Sequence, residues 1–194
     1  MLRSERHMLD ASSLHPEKPR PLRRVEYDRL VAGGAFEGER VELLYGTLVA
    51  MSPHDPPHSA PIQDLNELLV RALLGRPRVR VQLPVVACDE SEPEPDLAVV
   101  PLGDYSREHP CEAHLIVEVA VSSLRKDREV KGPLYASSGF REYWIVNVPE
   151  RLLEVYREPR EGSYTDVTRL RPSETVRLVA FPDVELRVAD VLPR

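Results

Sequence analysis

Glu118 stands at the centre of LIVEVAV, Leu115 to Val121, a seven-residue run whose other six members are apolar. An ionised carboxylate taken out of water costs several kcal/mol or more unless it is paired, hydrogen-bonded or bound to a metal, so this acid demands a partner. Two candidates stand out. Lys131 follows thirteen positions later on a segment that reads as a helix, and Asp96 ends Glu94-Pro95-Asp96 just ahead of another apolar run, LAVVPL. Two carboxylates projecting from neighbouring strands can hold a hard divalent cation such as Mg²⁺ or Mn²⁺, which keeps several waters and leaves positions for a substrate phosphate. A lysine beside them would orient the attacking water or stabilise developing negative charge. That is a phosphodiester hydrolysis site in outline. The same residues also permit a plainer arrangement, in which Glu118 forms a buried ion pair with Lys131 or an arginine and Asp96 is a turn residue. Spacing alone does not separate the two.

The elements that must position these residues follow from periodicity. Val25 to Ala32 is a short helix with Tyr27, Leu30 and Val31 on one face, stopped at Gly33-Gly34, and reads as a lid or packing arm. ERVELLYGTLVAMSP gives two β runs joined around Tyr45-Gly46 and ended by Pro53, with Glu42 in the first. Ile62, Leu65, Leu68, Leu69, Ala72 and Leu73 recur at helical spacing before Gly75, with His58 near the helix start. Val79 to Ala87 reads as a strand, with Pro84 marking an edge or a bulge, antiparallel to the strand that begins at or just after Asp96. Leu115 to Val121, apolar on both faces apart from Glu118, has the pattern of a central strand covered on each side. In SSLRKDREVKGPLYASSG, Asp127, Lys131 and Tyr135 share one helical face. Pro133 requires that helix either to start beyond Glu129 or to kink there. REYWIVNV and RLLEVYRE form a hairpin around Pro149-Glu150, and short β runs near residues 175–179 and 184–188 complete the chain.

Composition bounds the class. The chain has 194 residues, 42% of them hydrophobic, which suits one compact α/β domain over 22–194 behind a flexible polar tail at 1–21. No apolar run approaches the roughly 20 residues of a membrane span, and no apolar segment follows the charges at the N-terminus, so a cytoplasmic protein with free thiols at Cys88 and Cys111 is expected. A net charge of −6 weighs against nucleic-acid binding through a broad basic surface, but an acidic centre that binds cations can sit beside a local basic groove. Of the 26 basic residues only Lys18, Lys126 and Lys131 are lysines, so a lysine can mark a place where a compact ammonium is needed.

The run PDLAVV, then LIVEVAVSS, then Asp127 with Lys131 and Tyr135, then GFREYWIVN, resembles the Uma-two family of restriction-endonuclease-like proteins within the PD-(D/E)xK nuclease superfamily. VELLYGTLVAMSP, followed by a histidine at the head of an amphipathic helix, extends the resemblance upstream to cover roughly 25–156. It implies a restriction-endonuclease-like α/β fold, with a mixed central sheet flanked by helices and a Mg²⁺-dependent centre that hydrolyses DNA, in a chain that can act as a homodimer. By this resemblance Asp96 and Glu118 would be metal ligands, and Lys131 the lysine, displaced onto the following helix. Position 120, the superfamily's usual place for that lysine, is Ala120. Glu42 matches an early acid that holds metal or positions the lysine, and His58 matches a histidine that touches a phosphate or supports Glu42. For His58, capping its own helix is the competing structural role. For Asp127 a helix cap or a pair with Lys131 is favoured, and for Tyr135, Tyr143 and Trp144 a place in the core. The rival function is a catalytically inactive module of the same fold that binds nucleic acid or a protein partner.

Overall fold

The computed structural model describes residues 17–51 and 56–193. Most of the expected tail, together with Pro53 and His54, lies outside the described residues. Leu22, the first residue after that tail, donates its N–H to Gly46 O at 2.9 Å.

Six strands form the central sheet: β3 (Arg78–Val81), β4 (Leu97–Val100), β5 (Leu115–Ala120), β6 (Glu142–Asn147), β7 (Leu152–Arg160) and β8 (Ser163–Leu170), side by side in that order. β5 and β6 run parallel and the other neighbours antiparallel, so the sheet is mixed. Parallel neighbours need a crossover, and the helical stretch between β5 and β6 supplies it. Every residue of β4, β5 and β6 is buried, as expected for strands covered on both faces. On one face, Leu97, Val117, Val119 and Trp144 pack beneath α2 (Pro56–Leu73) and the C-terminal β9 (Thr175–Arg177), β10 (Glu185–Arg187) and α5 (Val188–Val191). On the other, Ala98, Ile116, Ala120 and Ile145 meet Tyr135, Phe140 and Tyr143 under the crossover. Trp144, Tyr135 and Tyr143 are all core residues.

Two smaller pieces complete the described chain. α1 (Arg24–Ala32) buries only Tyr27 and leaves Leu30 and Val31 exposed, which corrects the three-residue apolar face. β1 (Val41–Leu44) and β2 (Thr47–Ala50) form the expected hairpin. Its two-residue turn puts Tyr45 at φ 49° and Gly46 at φ 72°, the left-handed pair that matches strand twist. A Cβ at Gly46 would lie 2.3 Å from Pro21 Cβ, so this turn admits only glycine there. The bridge between Leu43 and Glu92 hangs the hairpin on the segment leading into β4.

Two expectations about elements change, and an alternative left open is decided. β3 ends at Val81, where Gln82 takes φ 49°, and the valines and proline beyond it run as loop, not strand. β8 was not anticipated, because its residues are mostly exposed and show no apolar alternation. The crossover does not start late; of the two alternatives, a departure from regular α-helix at Pro133 is the one found. It runs as α3 (Leu124–Lys126), a π-helical turn (Asp127–Lys131) and α4 (Gly132–Ser137). Proline lacks an N–H and crowds the carbonyl four residues back. The wider turn resolves this by bonding Gly132 N to Asp127 O, five residues back, immediately before Pro133. Tyr143 OH donates to the same carbonyl at 3.2 Å.

Candidate active site

The register of β4 and β5 places the two central acids. Leu97 lies opposite Val117 in the last antiparallel pair of the ladder, which brings Asp96, the residue just before β4, beside Glu118, whose side chain lies on one face of the sheet. That face is the one covered by the crossover helix. Asp96 Oδ2 accepts from Val119 N at 2.8 Å, which anchors the acid to β5. His58, in the first turns of α2, reaches round the end of the sheet to place Nε2 3.1 Å from Asp96 Oδ1. It therefore supports Asp96.

Lys131 projects from the end of the π-helical turn, and its side chain is 2% exposed. Its Nζ donates to Glu118 Oε1 at 2.8 Å and lies 3.1 Å from Glu42 Oε2. Tyr135, one turn on, donates its hydroxyl to the same Glu118 Oε1 at 2.8 Å. Glu42 is held on every side: Lys126 Nζ donates to Oε1 at 3.2 Å, and Glu94 N donates to Oε2 at 3.2 Å. Asp127 accepts from Ser123 Oγ at 2.5 Å and is buried beside these groups. Ser123 thus serves the acid and makes no side-chain cap to its own helix. Ala120, on the same face as Glu118, is buried, and the ammonium arrives from the helix above.

Charge is unevenly balanced here. Burial pushes the Glu118 carboxyl up to about 8; Lys131 opposes that rise, while Asp127, Asp96 and Glu42 add to it. Burial would also raise Glu42, but Lys131 and Lys126, with the Glu94 N–H, hold it below the usual carboxylate range. Asp96 is likewise held low against burial by His58 and Val119 N–H. Burial would strip the proton from Lys131, and Glu118 and then Glu42 reverse this and keep it an ammonium. Four carboxylates (Glu42, Asp96, Glu118 and Asp127) therefore face two ammoniums, and the least ionised is the one flanked by the most acids. A further cation would be welcome beside Glu118. Among the described residues, no group of three or more His, Cys, Asp and Glu side chains converges so as to hold a metal ion.

The arrangement gathers Glu118, Lys131 and Glu42 into one contact and joins Asp96 to it through strand register. The chain matches, over residues 24–189, a family model described as Uma2, "putative restriction endonuclease". The chain belongs to the Uma2 family. A solved structure from Anabaena variabilis ATCC 29413, described as a "putative nuclease belonging to DUF820", superposes with a TM-score of 0.72 at 16% identity, covering 88% of this chain and 97% of that one. The fold is therefore the nuclease-like α/β architecture that the sequence implies. Comparison with curated proteins yields no match.

Two contributors to this Uma2 site escaped sequence reasoning. Tyr135 lies in the core as expected and also serves the site, and its position four residues after Lys131 on the same face carries the signal. Lys126 stands out in the sequence only as a rare lysine, and nothing local ties it to Glu42, 84 positions earlier.

Proposed function

We propose that this Uma2 chain is a metal-dependent endonuclease that hydrolyses phosphodiester bonds of DNA. The observation that carries the reading is the Lys131 ammonium on Glu118, with Asp96 fixed beside it to the next residue of β5 through Val119 N. The donor set fits Mg²⁺ or Mn²⁺: both ligands are hard oxygens, carboxylates exceed ammoniums around them, and such ions need only one or two protein carboxylates beside water and phosphate. Asp96 and Glu118 would hold the ion, which when bound polarises the phosphate and lowers the pKa of a coordinated water. Glu42 serves as the counter-charge that grips Lys126 and Lys131, since both of its oxygens are engaged by donors. Lys131 holds Glu42 and Glu118 in place and supplies positive charge against the negative charge that develops on the phosphate. His58 keeps Asp96 ionised and aligned. The reading extends to a cytoplasmic protein working as a homodimer, with one centre for each strand of a duplex.

Cleavage of plasmid and linear DNA by purified protein with Mg²⁺ or Mn²⁺ tests this reading. Activity is expected in the parent and lost in Asp96→Ala and Lys131→Ala. Equal cleavage by parent and variants, or none by the parent on DNA or RNA, would end it. The second reading, a nuclease-fold module without catalysis, draws on the near-complete burial of Lys131 and on the arginines paired with acids, Arg40 with Glu94 and Arg125 with Glu129. Calorimetry separates the two: Mn²⁺ binding lost in Glu118→Gln favours the enzyme, and no binding favours the module. Light scattering checks the dimer.

A further inference from the structure

Glu118 Oε1 takes two donors, Lys131 Nζ and Tyr135 OH, each at 2.8 Å, while Oε2 has no hydrogen-bond partner among the described residues. A carboxylate oxygen has about two lone-pair directions, so Oε1 is filled. Any cation that Glu118 takes must then come to Oε2. Lys131 alone would leave the acid free to swing, because a lysine stem is flexible and an ammonium can follow either oxygen. Tyr135 cannot follow. Its ring is fully buried and wedged between Phe140, at 5.8 Å and 78°, and Tyr143, at 5.0 Å and 57°, so its hydroxyl points in one direction. It also adds a donor without adding a positive charge that would repel a metal.

Building on the nuclease reading above, we propose that Tyr135 is a positioning residue that pins Oε1 of Glu118 and so presents Oε2 to the metal and its water. Its hydroxyl acts on the ligand and touches neither substrate nor metal. This kind of outer support, a rigid donor behind a ligating carboxylate, is worth 10- to 100-fold in metal affinity.

Calorimetric titration of the full chain with Mn²⁺ tests the assignment. Tyr135→Phe removes one oxygen and keeps the ring, and is expected to weaken Mn²⁺ binding roughly 10- to 100-fold. Tyr143→Phe is the control for a lost buried phenol, because its hydroxyl donates to Asp127 O and not to Glu118; its Mn²⁺ affinity is expected to stay within about twofold of the parent. Equal affinity in Tyr135→Phe and parent, or equal weakening in the two Phe variants, overturns the proposal. A second variant reads the pinning without touching Tyr135. In Glu118→Gln the amide oxygen must face the two donors and its NH₂ the metal position, so this variant is expected to bind Mn²⁺ no better than Glu118→Ala. Clearly better binding by Glu118→Gln than by Glu118→Ala overturns the pinning. A parent that binds no Mn²⁺ overturns the nuclease reading itself, and this proposal with it, whereas a binding parent with an unaffected Tyr135→Phe overturns the proposal alone.

Discussion

Replacing Lys131 with Met removes the ammonium while preserving most of the stem that fills the space beneath the crossover helix. Two carboxylates are left behind, Glu118 at 2.8 Å and Glu42 at 3.1 Å from the lost nitrogen. At an effective dielectric constant of about 20, each contact represents roughly 5–6 kcal/mol of gross attraction. Most of that is offset by the cost of dehydrating the three groups, and the stranded acids relieve the remainder in part by taking up protons. Deleting one partner of a buried pair accordingly costs about 3–5 kcal/mol. For a chain of this size each kcal/mol lowers the melting temperature by about 2–4 °C, so Lys131→Met is expected to melt roughly 6–20 °C below the parent. The assay is thermal unfolding followed by circular dichroism at pH 7.5 in the presence of EDTA. Adding Glu118→Gln to Lys131→Met spares the folded chain the cost of protonating or ionising one stranded acid and is expected to recover part of the loss. If Lys131→Met melts within about 2 °C of the parent, or the double variant melts below the single, the reasoning that the ammonium neutralises buried acids is refuted.

Two further outcomes concern regions outside the site. Burial pushes Glu92 up to about 7, with Asp28 adding and Arg24 opposing. Its folded pKa exceeds the unfolded one, so the native state holds the proton more tightly, and stability falls as pH rises from about 4.5 to about 7. Glu92→Gln should flatten that decline in melting temperature between pH 5 and 8, and an unchanged slope would refute it. Gly46→Ala must adopt φ 72° and bring a methyl against Pro21, so it is expected to lose about 1–3 kcal/mol in urea unfolding.

How much was legible beforehand depended on whether a residue's partner lies nearby in the chain. Local patterns are enough to define β1 and β2 around Tyr45-Gly46, α2 by its apolar stripe and β5 by its buried run, because periodicity and turn chemistry act over a few residues. β8 was not legible: an exposed edge strand is held by its ladder with β7 and needs no apolar pattern of its own. The path of the chain past Pro133 also had to wait. A proline forbids the ordinary helical bond but does not say which alternative wins, and here the π turn is favoured with Tyr143, from a neighbouring strand, sharing the Asp127 carbonyl.

The site divides in the same way. The sequence by itself determined that Glu118 would be buried and would need a partner, since an ionised carboxylate amid six apolar neighbours must be paired, hydrogen-bonded or metal-bound to stay in a core. It also singled out Asp96 and Lys131 by type and spacing. Only the tertiary structure decided the allegiances: that His58 serves Asp96, that Glu42 grips both Lys126 and Lys131, and that Tyr135 joins Lys131 on one oxygen of Glu118. These are contacts between elements far apart in the chain. Their geometry is set by strand register and by where a helix lies on a sheet, and neither quantity is written in any local run of residues.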